Sequence, residues 1–206
     1  MEKREVLFTN KDLKKLIIPL IIEQLLTVTV GLADSIMISS VGEAAVSGVS
    51  LVDSIMILLI NMFSALATGG AVVAGQYLGQ KKHVMACKTA DQLILFISAL
   101  AVVIMAGIYA MRGFILHGVF GAIEPAVMHS AEVYLLIVTA SIPFLAVYNG
   151  CAALFRTMGN SKTAMQMSLF MNAINIIGNA ALIYGVGMGV EGAAIPTLVS
   201  RVIAAA

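Results

Sequence analysis

The sequence predicts an all-α integral membrane protein, a bundle of six transmembrane helices. Of the 206 residues, 60% are hydrophobic and 11% are charged, whereas a soluble domain carries about 25% charged residues. A helix needs about 20 mostly apolar residues to cross the hydrocarbon core of a bilayer. Six stretches meet this need, residues 16–39, 51–78, 90–111, 131–155, 164–184 and 190–206. The last runs to the end of the chain without a polar stop, so we expect a part of a longer protein.

The basic residues predict how these spans are oriented. Ten of the twelve Lys and Arg residues precede span one or lie between spans two and three or four and five. Because basic residues concentrate in cytoplasmic loops, residues 1–15 are predicted to be a cytoplasmic segment and residues 16–206 the membrane lobe. The predicted location is the plasma or inner membrane. The net charge of +1 gives no indication of nucleic acid binding.

Span one contains two acids, Glu23 and Asp34. An acid inside the bilayer is costly and usually functional. Eleven residues separate the pair, which at about 100° per residue brings both onto one face of a helix, together with Thr27 and Gly31. The pattern predicts a polar stripe that faces a cavity. Asp34 and Glu23 are the candidate cation- or proton-binding residues, and Thr27 and Gly31 are candidate lining residues.

Span five contains a second polar stripe, because four polar residues fall within an arc of about 60°. These are Ser168, Asn172, Asn175 and Asn179. Such side chains either join membrane helices by hydrogen bonds or line a cavity, and the acidic stripe on span one favours the cavity. Asn175 and Asn179 are therefore candidate partners of a bound cation or proton, with Ser168 and Asn172 lining the substrate cavity.

Three further residues interrupt the apolar spans. Pro19 removes a backbone donor from span one, which marks either a static kink, the commoner case, or a hinge. Arg201 lies deep in span six and is predicted to face the bundle interior or to extend along it. Asp53 comes just after the predicted start of span two, where we expect it at the membrane interface.

No enzyme motif in the sequence lies in the structural context that the motif requires. Residues 187–192 match the dinucleotide fingerprint GxGxxG, but that motif requires a surrounding βαβ unit and here lies in a short turn between two spans. The sequence has no P-loop, HExxH or nucleophile elbow, and its two cysteines form no metal-binding CxxC motif. We predict no catalysis, no metal site and no cofactor.

Five segments in the same order resemble the multidrug and toxic compound extrusion (MATE) family. They are residues 18–20 (IPL) with 34–38 (DSIMI), 74–79 (AGQYLG), 148–150 (YNG) with 155–162 (FRTMGNSK), 172–179 (NAINIIGN) and 189–197 (GVEGAAIPT). The resemblance implies one lobe of a twelve-helix transporter built from two six-helix lobes, with the C-terminal lobe absent. It also implies export of organic cations or drugs in exchange for protons or sodium.

The resemblance also implies roles for individual residues. Asp34 matches the family's first-helix acid, which is linked to cation or proton binding, and Pro19 matches the proline at which that helix bends in some members. Asn175 and Asn179 match polar residues on helix five. Asn179 departs from the members that have a second acid there, and Pro196 stands where alanine is common.

The sequence therefore predicts a secondary active antiporter, or a part of one, with the coupling ion left open between a proton and sodium. Its expected partners are the bilayer, a small organic cation and the absent lobe. A lipid-linked oligosaccharide flippase of the same superfamily is the first alternative, although it should have several arginines in its cavity, where only Arg201 is predicted. A non-transporting membrane scaffold subunit is the second.

Overall fold

The computed structural model describes residues 10–121 and 123–206, with side chains from residue 13 onward. Within these residues every regular element is helical, as the composition predicts. The elements are α1 Asn10–Ser39, α2 Glu43–Gly79, α3 His83–Ala110, α4 Arg112–Phe114, α5 Pro125–Thr139, α6 Ile142–Thr157, α7 Ser161–Ala180 and α8 Glu191–Ala205. Short π-helical segments, Ile115–Val119 and Ala181–Gly185, continue α4 and α7.

Four of these helices are long and apolar enough to cross a membrane, by length and composition. They are α1, α2, α3 and α7 with its π-helical end, and there is a fifth if the bent pair α5–α6 is counted as one span. The sixth predicted span corresponds to α8, which is 15 residues long. Of the predicted cytoplasmic segment 1–15, residues 1–9 lie outside the described residues, and residues 10–15 belong to α1.

The predicted span over residues 131–155 is divided in the structure between two helices, α5 and α6. Helices α5 and α6 meet at an angle of 50°. Pro143 has no backbone N–H, and its ring crowds the carbonyl group four residues earlier, which breaks the helical ladder. At the break, the backbone N–H and the hydroxyl of Ser141 both donate to the carbonyl of Val138, over 3.0 Å and 2.6 Å.

Helix α2 begins at Glu43, eight residues before the predicted start of span two. Serine hydroxyls in its first turns bond to carbonyls one turn earlier, Ser50 to Val46 over 2.7 Å and Ser54 to Ser50 over 3.0 Å. These bonds let polar residues remain inside a membrane helix. As a result, Asp53 lies about 15 Å along α2 at 1.5 Å per residue, rather than at its start.

The packing leaves a space at the centre of the bundle. Helix α2 packs against α3, α5 and α6, whereas α1 packs mainly along α7, and α7 along α8. Close approach of α7 and α8 depends on Gly178, because a Cβ atom there would lie 2.7 Å from the Cβ of Pro196. Since α1 contacts α2 much less than it contacts α7, a cavity opens between these helices.

Candidate functional site

The central cavity has a volume of about 520 Å³ and is lined by α1, α2, α5, α6, α7 and α8. Both polar stripes contribute to its wall. The predicted residues that line it are Glu23, Thr27, Gly31, Asp34, Ser168, Asn172 and Asn175. Asn179 lines a smaller adjoining pocket of about 100 Å³, which Asp34 also lines. The two pockets therefore share the first-helix acid.

A hydrogen bond joins the two stripes at Asp34. The side-chain amide of Asn179 donates to Oδ1 of Asp34 over 2.7 Å, and Asn179 is 1% exposed. A hydrogen bond to a charged group contributes about 1.5–3 kcal/mol. This hydrogen bond thus holds the half-buried acid on α1 against α7.

The same network continues across α7 to α8. The side-chain amide nitrogen of Asn179 also donates to Oδ1 of Asn175, over 3.4 Å. The side-chain amide of Asn175 donates in turn to the hydroxyl of Thr197 over 3.0 Å. Thr197 in turn donates to the carbonyl of Ala193 over 2.9 Å. The four-residue spacing of the two asparagines stacks them on one face of α7. Sequence reasoning missed Thr197, although it follows Pro196 in the last family-like segment.

One acceptor in this network is left free. The Oδ1 atom of Asn179 is buried and has no hydrogen-bond partner among the described residues. Buried polar atoms are nearly always satisfied, and an unsatisfied one costs about 1–3 kcal/mol.

Glu23 lies at the other end of the cavity, about 16 Å along α1 from Asp34 at 1.5 Å per residue. Its Oε1 atom accepts a hydrogen bond from Arg156 of α6 over 2.5 Å. The glutamate side chain is 8% exposed and the arginine side chain 29%. Arg156 belongs to one of the family-like segments, but nothing in its spacing indicates a partner on α1. The pair joins α1 to α6.

A third polar group was not predicted as part of the site. Asp53 lines the cavity rather than the membrane interface, and its carboxylate accepts a hydrogen bond from the hydroxyl of Tyr134 over 3.2 Å. Arg201 also lines the cavity, as expected, and donates to the hydroxyl of Ser141 over 2.7 Å. The depth of Asp53 in span two would have indicated its position, had the start of α2 been placed correctly.

Pro19 lies buried inside α1, four residues before Glu23. The arrangement as a whole offers carboxylate, amide and hydroxyl oxygens to a positively charged ligand. Among the described residues, no group of three or more His, Cys, Asp or Glu side chains could hold a metal ion.

Comparisons with known proteins agree with this architecture. The MatE family model matches residues 19–181. The chain is 31% identical over 189 residues to the uncharacterized transporter YisQ of Bacillus subtilis (strain 168), covering 90% of this chain and 41% of that protein. It is 26% identical over 209 residues to the probable multidrug resistance protein NorM of Thermotoga maritima, covering 100% and 45%.

The fold matches a solved structure of a MOP superfamily transporter from Pyrococcus furiosus. The TM-score is 0.87 at 24% sequence identity, and the match covers 95% of this chain and 43% of that chain. The present chain therefore spans less than half the length of the curated relatives and of the structure that it matches.

Proposed function

The chain belongs to the MatE family of multi-pass membrane transporters, and from this premise we propose that it forms one lobe of a secondary active antiporter. The lobe comprises residues 16–206, with residues 1–15 on the cytoplasmic side of the plasma or inner membrane. A second lobe completes the substrate chamber. The transporter exports organic cations or drugs in exchange for protons or sodium, and the gradient takes the place of a cofactor.

The observation that supports this proposal most strongly is the hydrogen bond between Asp34 and Asn179 in the wall of the cavity. A carboxylate inside a bilayer is expensive, and here its negative charge is met by the positive end of an amide dipole. A proton or a sodium ion at Asp34 competes with that amide for the same oxygen. Binding of the coupling ion therefore changes the contact between α1 and α7.

The charges on the wall favour a cationic substrate. The described lining residues include three acids, Glu23, Asp34 and Asp53, against two arginines, Arg156 and Arg201. Because Arg156 is paired with Glu23, the remaining wall has two acids and one arginine. A wall of this sign attracts organic cations and repels the phosphate groups of a lipid-linked oligosaccharide, so the antiporter is preferred to the flippase.

Transport follows from a change in how α1 packs. When Asp34 is neutralised, it loses most of the charge-assisted part of its bond to Asn179, and α1 is free to move relative to α7. Pro19 supplies a point with a missing backbone hydrogen bond, so the part of α1 that contains Asp34 can swing about it. Asn175 and Thr197 then hold the released amide of Asn179 in place.

The test is gradient-driven export by Asp34→Asn in proteoliposomes of the complete transporter. An amide fills the same space and forms hydrogen bonds, yet it neither exchanges a proton nor neutralises a cation. We expect export to fall to background while the protein stays folded. Asp91→Asn is the matched control, because Asp91 is exposed on α3. Export by Asp34→Asn at the rate of the control would overturn the coupling role.

A further inference from the structure

One ion pair lies at the end of the central cavity that is nearer to the N-terminus of α1. Glu23 of α1 accepts a hydrogen bond from Arg156 of α6 over 2.5 Å, and no other ion pair between side chains occurs within the part of the chain that the structure describes. Among the described lining residues, only Leu20 precedes Glu23 on α1, and Arg156 is the last on α6. The pair therefore lies across one end of the cavity.

The two helices that this pair joins approach each other at few points. Helix α1 packs mainly along α7, whereas α6 packs mainly against α2 and α3. The contact between Glu23 and Arg156 thus bridges helices that backbone packing does not hold together. Because of this, the state of the ion pair decides how firmly the first turns of α1 are held beside α6.

The contact consists of a single hydrogen bond. Arginine and carboxylate groups frequently pair through two parallel hydrogen bonds, but Oε2 of Glu23 and Nε of Arg156 are buried without a hydrogen-bond partner among the described residues. The arginine side chain is also more exposed than the glutamate side chain, 29% against 8%. A guanidinium group with access to water loses less on leaving its partner than a fully buried one. The pair is therefore easier to open than a bidentate pair in the core.

The pair lies next to the point about which α1 is proposed to move. Pro19 precedes Glu23 by four residues within α1. A swing of about 20° about Pro19 moves Glu23 by about 2 Å and Asp34 by about 8 Å, at 1.5 Å per residue. A shift of about 2 Å away from Arg156 takes the two side chains out of hydrogen-bond range. The ion pair therefore opposes the movement on which the proposed transport depends.

We propose that Arg156 is a positioning residue for transport: its ion pair with Glu23 holds α1 beside α6 and closes the cytoplasmic end of the cavity, and opening of the pair admits substrate from that side. The proposal rests on the proposed function, which places the N-terminus of α1 in the cytoplasm. It divides the control of α1 between two contacts. Asp34 responds to the coupling ion, whereas Arg156 acts through Glu23 on the opposite end of the cavity.

The experiment measures how fast a cysteine inside the cavity reacts with a membrane-impermeant maleimide. Thr27→Cys is the reporter, because Thr27 lines the cavity one helical turn beyond Glu23. It is introduced into a cysteine-free form of the complete transporter, which includes Cys87→Ser and Cys151→Ser. Inside-out vesicles present the cytoplasmic side to the reagent, and right-side-out vesicles present the outer side.

Removing the arginine should open the cavity on one side only. For Arg156→Gln, we expect the labelling rate from the cytoplasmic side to rise by about tenfold, within the range usual for a coupling between two parts of a protein. The rate from the outer side should not rise, because the pair lies at the opposite end of the cavity. A variant that is merely loosened would be labelled faster from both sides.

Three further variants separate the role of the pair from a loss of stability. Glu23→Gln removes the other partner and should raise cytoplasmic labelling as Arg156→Gln does. The double variant also lacks the pair but leaves no unpaired buried charge, so its labelling should stay as fast as that of Arg156→Gln although it is more stable. Arg156→Lys keeps a positively charged donor, and its labelling rate should be closer to that of the unmodified protein than to that of Arg156→Gln.

Two controls match these variants in chemistry. Lys162→Gln and Glu43→Gln remove a positive and a negative charge at exposed residues, and both should be labelled like the unmodified protein. Size-exclusion profiles establish that each variant is folded. If Arg156→Gln does not fold, Glu23→Gln and the double variant provide the same comparison.

The outcomes separate this proposal from the one on which it rests. Cytoplasmic labelling of Arg156→Gln at the rate of Lys162→Gln, or an equal rise from both sides, overturns the role of the ion pair. If Asp34→Asn abolishes export in that case, the coupling role of Asp34 still stands. If instead Asp34→Asn exports normally while Arg156→Gln is labelled faster from the cytoplasmic side alone, the coupling role fails and the ion pair keeps its role.

Discussion

Breaking the ion pair between Glu23 and Arg156 should destabilise the protein unequally, depending on which partner is removed. The glutamate side chain is 8% exposed and the arginine side chain 29%. Arg156→Gln therefore leaves a negative charge at a nearly buried position, whereas Glu23→Gln leaves a guanidinium group that is more exposed to water. Both substitutions keep a side chain that can form hydrogen bonds.

The structure sets the size of the difference. Removing one partner of a buried ion pair costs about 3–5 kcal/mol, and the partial exposure of Arg156 places Arg156→Gln at the lower end, near 3 kcal/mol. Glu23→Gln loses a charged hydrogen bond but gains hydration of the arginine, so about 1 kcal/mol is expected. The double variant should be less destabilised than Arg156→Gln alone, by about 1 kcal/mol.

Unfolding in mixed micelles with increasing sodium dodecyl sulfate gives the free energies. The chain contains no tryptophan, so circular dichroism at 222 nm is the appropriate signal for this helical protein. Lys162→Gln, an exposed basic residue at the start of α7, is the control for loss of positive charge. Equal destabilisation by the two single variants, or a larger effect of Glu23→Gln, would refute the argument from burial.

Two further predictions concern α1 and its partner on α7. Asn179→Asp places a second acid at the 2.7 Å contact with Asp34. Because two adjacent acids cannot both stay charged without a cation or a proton, the affinity for Na⁺ should rise at neutral pH. An unchanged affinity would contradict this reasoning. Pro19→Ala restores the backbone hydrogen bond that a hinge would exploit, so export should slow and the distance change between spin labels flanking residue 19 should shrink. If the export rate and the distance change are both unaffected by the substitution, Pro19 marks a static kink.

Much of the site could be predicted because helical spacing needs only the sequence. The separation of Glu23 from Asp34, and that of Asn175 from Asn179, fixes which residues share a face. Because both polar faces must avoid lipid, they are expected to line the same cavity. In the described structure, residues of both faces line the central cavity. Because polar groups are costly to expose to lipid, the shared cavity could be inferred from the sequence alone.

The contacts that could not be predicted from the sequence depend on how the helices cross. The pairing of Glu23 with Arg156 joins residues 133 positions apart, and no periodicity specifies which helices meet. Asp53 was misplaced because the predicted span began at residue 51, so the first two turns of α2, which contain Ser47 and Ser50, were left outside the helix. Their tolerance inside the helix comes in part from hydroxyl–carbonyl bonds, which only the folded backbone reveals. The 50° bend between α5 and α6 likewise depends on how the chain accommodates Pro143, which spacing alone does not specify.

The measurement that tests the central claim most directly is the simultaneous recording of substrate export and coupling-ion entry in the same proteoliposomes. For the unmodified transporter, we predict that imposing a proton or sodium gradient drives both fluxes in a fixed ratio. For Asp34→Asn, both fluxes should vanish together, while Asp91→Asn retains them. Continued export by Asp34→Asn with the same ion-to-substrate ratio would contradict the claim that the acid on α1 couples the gradient to transport.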